Sequence, residues 1–245
     1  MKHIINQKIQ LLVAKRCFGK ITEKPQAISK LCYFKNIKVV YNRIPKNANT
    51  STVALLYQLD RRHKTINSIS HNKIKKYCSR SAAFAVTADT SSYNKMVIIR
   101  DPYTRLLSAF LDKFGNKRGQ YIDRYGDFLA SPNGFSDFVN KLGVIGVASN
   151  GHWDLQISQM AYPIADYDYI VKFESLHHDL RKFVNSKNLD SRHIDLKQQP
   201  KSDAQKRTGS DELFDEYYNR DLVNIVHELY QEDFSTLGYK KRVIL

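Results

Sequence analysis

With 245 residues, 42% of them hydrophobic, the chain is long enough to bury a core of enzyme size, and no segment repeats at a fixed period. Thirty-nine Lys and Arg against 24 Asp and Glu leave a formal charge of +15, which suits an acidic partner or a well-solvated surface without separating enzyme from binder. Cys17, Cys32 and Cys78 are widely spaced with no CxxC pair, so the sequence spells neither a zinc site nor a disulfide framework and suggests a reducing compartment; no apolar run approaches the roughly 18 residues of a membrane span.

The N-terminal "MKHIINQKIQLLVAKR" has a basic start, but Asn6, Gln7, Lys8 and Gln10 interrupt what a signal peptide would need as an apolar core. Ile5, Ile9 and Leu12 share a helical face, so residues 1–35 read as a helical extension packed on the domain, with a membrane-surface helix as the alternative. "NIKVVYNRI", Asn36 to Ile44, is rich in β-branched and aromatic residues and predicts a strand, and Val53, Leu56 and Tyr57 keep helical spacing after a polar corner. "KMVIIR", Lys95 to Arg100, predicts a second strand; Asp101 and Pro102 supply a helix N-cap and first-turn proline, and Leu107, Phe110, Leu111 and Phe114 form the stripe that follows. Residues 115–150 hold six of the ten glycines and little pattern beyond a short helix near Phe135 to Leu142, which marks them as an insert. "YDYIVKF", Tyr167 to Phe173, predicts a third strand, with Ser175 as cap and Leu176, Leu180, Phe183 and Val184 as a buried helical face. Residues 195–211 are polar and read as a lid loop, before a closing amphipathic helix marked by Leu222, Ile225, Val226 and Leu229. Repeated strand-to-helix units predict an α/β fold, a single domain over residues 1–245 with a central parallel sheet flanked by helices.

Ligands of such sheets bind beyond the carboxyl ends of the strands, where the first corner, Arg100 and Glu174 should converge. The corner "NRIPKNANTS" resembles a phosphate site but departs from the triphosphate loop GxxxxGK[ST]: it has no glycine, and its lysine precedes the turn, which disfavours a kinase or ATPase. Lys46 and the donors Asn49, Thr50, Ser51 and Thr52 could hold an anion at the helix N-terminus, or the stretch could be an ordinary capped turn with a solvated lysine; the residues alone leave the two balanced.

"NRIPKNANTS" together with "VIIRDPYTRLLSAFLDKF" resembles the nucleotide-contacting motifs of the membrane-type carbohydrate sulfotransferases, the group that includes chondroitin, dermatan, HNK-1 and heparan 2-O sulfotransferases. "HWDLQ", "YDYIVKFESL" and "LYQEDFSTLGY" extend the resemblance in family order from about residue 36 to 240. It implies a P-loop-NTPase-like fold and a sulfuryl donor, 3′-phosphoadenosine 5′-phosphosulfate, with no metal. By the same resemblance Pro45, Lys46, Asn47, Ala48, Asn49, Thr50, Ser51 and Thr52 hold the 5′-phosphosulfate, and Arg100 and Ser108 the 3′-phosphate. Lys46 would stabilise the leaving oxygen, and His152, Trp153 and Gln156 would meet the acceptor, a carbohydrate or glycolipid whose acidity would suit the basic surplus.

The base is open: His152 ranks before Glu174, and the histidine that heparan 2-O relatives carry before the RDP strand has no counterpart in "AAFAVTADTSSY". Met160 and Pro163 stand where Golgi relatives commonly carry cysteines, which implies a cytoplasmic, bacterial-type enzyme acting on a polysaccharide or glycolipid before export, at most peripheral to the inner membrane face. Two other functions compete. A non-catalytic polyanion binder would explain the charge and Lys201, Lys206 and Arg207, and a P-loop-like kinase would explain the corner; no nucleic-acid-binding module is present in the sequence.

Overall fold

The computed structural model describes residues 25–61, 76–78, 91–189 and 208–244. The N-terminal amphipathic stretch before residue 25, most of "AAFAVTADTSSY", and Lys201, Lys206 and Arg207 of the polar loop lie outside these residues. In chain order the helices and strands are α1 (Pro25–Ile28), β1 (Leu31–Phe34), β2 (Val39–Asn42), α2 (Asn49–Arg61), β3 (Asn94–Ile99), α3 (Pro102–Phe110), α4 (Gly119–Tyr125), α5 (Pro132–Ile145), β4 (Tyr169–Lys172), α6 (Leu176–Ser186), α7 (Phe214–Tyr217), α8 (Arg220–Leu229) and α9 (Gln231–Leu237). They fall into two compact units interleaved in sequence, Met1–Ile99 with Ser158–Asp203 and Arg100–Ile157 with Ala204–Leu245.

The first unit is the α/β part. Its sheet has the order β1-β2-β3-β4, with β2, β3 and β4 parallel and β1 antiparallel to β2. The three predicted strands are all present, β2 and β4 bounded more tightly than expected and β3 shifted by one residue toward the N-terminus. Leu31–Phe34 differs from expectation: it is an edge strand, not part of a helical extension, because four consecutive buried side chains pair with β2 across a hairpin whose last turn residue, Lys38, has φ 48°. Burial on both faces explains why β1 and β2 read as unbroken apolar runs without alternation. Cys32, Phe34, Val39, Tyr41, Met96, Ile98 and Val171 from the strands pack with Val53, Leu56 and Tyr57 of α2 and Leu180, Phe183 and Val184 of α6. The expected helical faces are therefore the buried ones. Ser175 does stand at the N-cap of α6, but its hydroxyl donates to Asp179 Oδ2 (2.6 Å) and leaves the helical N–H groups uncapped by a side chain.

The second unit is helical around an aromatic core. Asp101 caps α3 through Oδ1, which accepts from Tyr103 N (2.8 Å) and Thr104 N (3.4 Å), with Pro102 in the first turn, as the sequence predicts. Every side chain of α3 is buried, and the helix runs on as one π-helical segment, Leu111–Gly115. That segment turns Asp112 and Lys113 inward as a buried pair (2.9 Å), with Arg118 on the other carboxylate oxygen (2.8 Å). The insert contains two helices: α4, and α5, which extends the anticipated Phe135–Leu142 on both sides and is capped by Ser131. At Gly134 in the first turn of α5, an added Cβ would come within 2.1 Å of the Leu129 carbonyl oxygen, so the chain doubles back there only because no side chain exists. Near the C-terminus the closing helix breaks at Tyr230 into α8 and α9, and α9 ends on Gly238 in the left-handed region (φ 71°).

Candidate functional site

The corner after β2 is held by residues that the motif hides in plain sight. Asn42, wholly buried at the end of β2, donates through Nδ2 to Gln159 O (3.0 Å) and accepts at Oδ1 from Ala161 N (2.7 Å) and Tyr167 Oη (2.8 Å). Arg43 donates to the carbonyls of Lys30 and Ser29, both at 3.0 Å. Asn47, also wholly buried, donates from Nδ2 to Ile98 O (2.7 Å) and so ties the tip of the corner to the end of β3. These three amide and guanidinium groups serve the scaffold.

What remains for a ligand is the backbone and the partly exposed side chains. Lys46 has φ 72° and Ala48 φ 51°, while Asn47 between them keeps negative φ. Non-glycine residues in this region cost about 1–2 kcal/mol each, so two in three residues are retained against a local penalty. With positive φ at Lys46 and Ala48 the chain makes a strained corner of the kind from which anion nests are built, immediately before the N-terminus of α2, with Asn47 N donating to Ile44 O (3.4 Å). The missing glycines are thus replaced by Lys46 and Ala48 in the conformation that glycine would supply. Asn49 Oδ1 is buried without a hydrogen-bond partner among the described residues, at the first position of α2. Pro45, Lys46, Ala48, Asn49 and Thr50 are partly exposed, Ser51 is nearly buried, and Thr52 is wholly buried, so Thr52 faces the scaffold and not an open cradle.

A second constellation lies in the helical unit. Arg100, only 3% exposed, donates from Nε to Thr104 Oγ1 (3.3 Å) and from Nη2 to Ser210 Oγ (2.9 Å) and Asp211 Oδ2 (2.6 Å). Ser108, two helical turns along α3, contacts Thr208 Oγ1 at 3.1 Å, and Thr208 Oγ1 in turn donates to Ser210 Oγ (3.4 Å). Arg100 and Ser108 are therefore brought to one network through Ser210 and Thr208, 110 and 100 positions further along the chain. Ser210 and Asp211 belong to the polar segment read as a lid, and no sequence signal singled them out. Asp211, half exposed, places a carboxylate on the guanidinium, which is the kind of anion that a phosphate would replace.

Beneath this network sits a frame of buried polar groups. The Gln156 side chain brackets the Arg100 backbone, accepting from Arg100 N (2.9 Å) and donating to Arg100 O (2.8 Å). Asp233, wholly buried, accepts from Gln156 N (2.8 Å) and Ile157 N (3.0 Å). Burial pushes the Asp233 carboxyl up, while the Arg105 charge and these N–H donors pull it down. Arg105 donates to Asp154 O (2.7 Å), and burial lowers its pKa against the field of Asp233. Arg105 thus has a wholly interior role.

Two residues expected to meet an acceptor are instead core. Gln156 is wholly buried as the bracket just described. Trp153 is wholly buried, its Nε1 donating to Ser149 Oγ (3.0 Å), its rings edge-on to Tyr125 at 4.8 Å and Phe138 at 5.2 Å. No face of the indole is left for a sugar. His152 is half buried, its N–H donating to Asn150 Oδ1 (3.0 Å) and its ring edge-on to Tyr121 (5.9 Å), over which Lys113 lies at 4.8 Å. Glu174, in the turn after β4, is exposed and belongs to the first unit, whereas His152 belongs to the second. Among the described residues no three His, Cys, Asp or Glu side chains are grouped as metal ligands, and no helix is long and apolar enough to cross a membrane.

The chain thus combines a mostly parallel α/β sheet and a strained, glycine-free corner after β2 with an arginine–hydroxyl network opening the helix after β3. The chain belongs to the sulfotransferase family, whose model matches residues 29–240. It is similar to human carbohydrate sulfotransferase 9, 28% identical over 60% of this chain and 38% of that protein, and to mouse carbohydrate sulfotransferase 8, 27% identical over 65% and 44%. Carbohydrate sulfotransferase 10 of Xenopus laevis is 24% identical over 85% of this chain and 66% of its own length. The chain thus spans about two fifths of the length of the first two relatives. No solved structure matches it significantly.

Proposed function

We propose that the chain transfers a sulfuryl group from 3′-phosphoadenosine 5′-phosphosulfate to a hydroxyl of a carbohydrate, in a polysaccharide or glycolipid. The observation that carries the reading is the glycine-free nest at Lys46–Ala48, retained against backbone strain where a helix begins. In this reading the nest, Lys46, Asn49 and Thr50 hold the 5′-phosphosulfate, and Arg100 and Ser108, with Thr208 and Ser210 added, hold the 3′-phosphate. Each constellation is complete within its own unit and can be tested separately. The donor supplies an activated sulfuryl group; Lys46 places positive charge where the departing phosphate oxygen gains negative charge, and the acceptor hydroxyl must lose a proton to a base. His152 ranks before Glu174 for that base, since its ring is oriented by Tyr121 and its backbone by Asn150, whereas Glu174 is exposed. We read residues 29–240 as one sulfotransferase domain, and a cytoplasmic setting rests on Met160 and Pro163 alone.

The deciding experiment follows transfer of radiolabelled sulfate from the donor onto a panel of glycans, glycolipids and tyrosine peptides, beside thermal shifts with 3′-phosphoadenosine 5′-phosphate and with AMP. Label on a glycan and a shift chiefly from the bisphosphate are expected. Equal shifts from the bisphosphate, AMP, heparin and DNA, with no transfer, would establish a polyanion binder instead; magnesium-dependent ATP turnover would establish a kinase.

A further inference from the structure

Cys32 in β1 and Cys78 in the short stretch 76–78 are 46 positions apart in sequence, yet their Sγ atoms lie 2.8 Å from each other. Both are buried, 0% and 2% exposed, and neither takes part in the anion-holding constellations. Their approach is fixed by neighbours that involve no sulfur. Tyr77 donates its hydroxyl to Tyr33 O (2.8 Å) and Asp60 Oδ2 (3.0 Å), stacks on Phe34 at 5.6 Å and meets Tyr57 edge-on at 4.9 Å. Residues 77–78 are thus laid along residues 32–34, and the two thiols are held face to face by packing on either side. A disulfide has its sulfurs about 2.05 Å apart, so bond formation from 2.8 Å needs less than about 1 Å of travel.

We propose that Cys32 and Cys78 form an oxidisable pair that closes into an intrachain disulfide, with a small-molecule disulfide of the glutathione type as electron acceptor. The thiolate of Cys78 attacks one sulfur of the acceptor, cleaving its S–S bond and releasing one glutathione thiolate, which takes up the Cys78 proton. The Cys32 thiolate then attacks the Cys78 sulfur of the mixed disulfide, and the second glutathione leaves as its thiol with the Cys32 proton. Two electrons pass to the acceptor, and the Cys32–Cys78 bond is the net gain. The hydrogen bond with Cys32 lowers the Cys78 thiol against burial, and the Arg43 charge acts in the same sense, which favours Cys78 as the first attacker. The closed loop would enclose β2, the corner bearing Lys46 and the whole of α2, so the bond fastens the segment that carries the nest whether or not the proposed donor is correct.

The test uses a Cys17→Ser chain, in which only this pair of thiols remains. The reduced protein is incubated in oxidised glutathione, blocked with an alkylating agent under denaturing conditions, digested and mapped without reductant; the unfolding midpoint is measured on the same samples. The expected result is a linked peptide pair containing Cys32 and Cys78, lost on reduction, and an unfolding midpoint raised by roughly 5–15 °C in the oxidised form. Adding Cys78→Ser should abolish both. Alkylated thiols at both positions, a persistent glutathione adduct on either, or linkage only between chains would overturn the proposal. Because the oxidised and reduced samples share one sequence, poor folding of a variant cannot imitate any of these results.

Discussion

The two constellations proposed to hold anions are built by opposite means. The corner after β2 is made of backbone: Lys46 and Ala48 are forced into left-handed conformation, and a buried amide, Asn47, pins the result to β3. The network after β3 is made of side chains drawn from far along the chain, Arg100 and Ser108 meeting Thr208, Ser210 and Asp211. A backbone nest is local, so it can be spelled in ten consecutive letters, whereas a side-chain network needs the fold to assemble it. The first should tolerate side-chain changes that keep its φ angles and the Lys46 charge, and the second should respond to each hydroxyl in turn.

The largest effect should come from Lys46→Ala, which keeps a non-glycine residue in the nest but removes its charge: turnover in the sulfate-transfer assay should fall about 10²–10³-fold, with an unfolding midpoint close to that of the parent. Near-parental turnover would leave the nest without a catalytic role. Next, Arg100→Ala should weaken 3′-phosphoadenosine 5′-phosphate by about 10–100-fold, corresponding to a lost charge-assisted contact, while AMP binding, read by calorimetry, changes little; equal losses for the two nucleotides would separate Arg100 from the 3′-phosphate. Asn47→Ala should lower stability by about 1–3 kcal/mol, the cost of leaving the Ile98 carbonyl unpaired, and weaken the donor as well; denaturant unfolding and binding on one sample would show whether the two losses travel together. The smallest effect runs the other way. Asp211→Asn removes the carboxylate that competes for Arg100, and bisphosphate affinity should rise by about 2–5-fold, as expected for a half-exposed pair; unchanged affinity would mean that Asp211 yields to the ligand without cost.

Much of the first unit, and the start of α3 in the second, is legible because the signals are short-range: β-branched strands, helical spacing at Val53, Leu56 and Tyr57, and Asp101–Pro102 opening α3. β1 escaped notice because four apolar letters after a polar, basic stretch carry no period, and antiparallel pairing with β2 is a long-range decision. The resemblance of "HWDLQ" to the family's HW…Q element places Trp153 and Gln156 at the acceptor; only the aromatic cage and the Asp233 frame show that they are buried. Ser210 had no signal at all, sitting in a run of polar letters in which no position stands out. The pairing of Cys32 with Cys78 was equally silent, since spacing says nothing about which thiols meet.

Asp101 divides its carboxylate: one oxygen caps α3, and the other takes a two-pronged contact from Arg242, at 3.0 Å from Nε and 2.9 Å from Nη2. The guanidinium also lies 4.2 Å over the Phe214 ring. Trimming the sequence before Arg242 to tidy an expression clone would therefore loosen the start of the helix on which Ser108 rides, and a preparation shortened there should bind the proposed nucleotide less well while keeping every residue proposed to touch it.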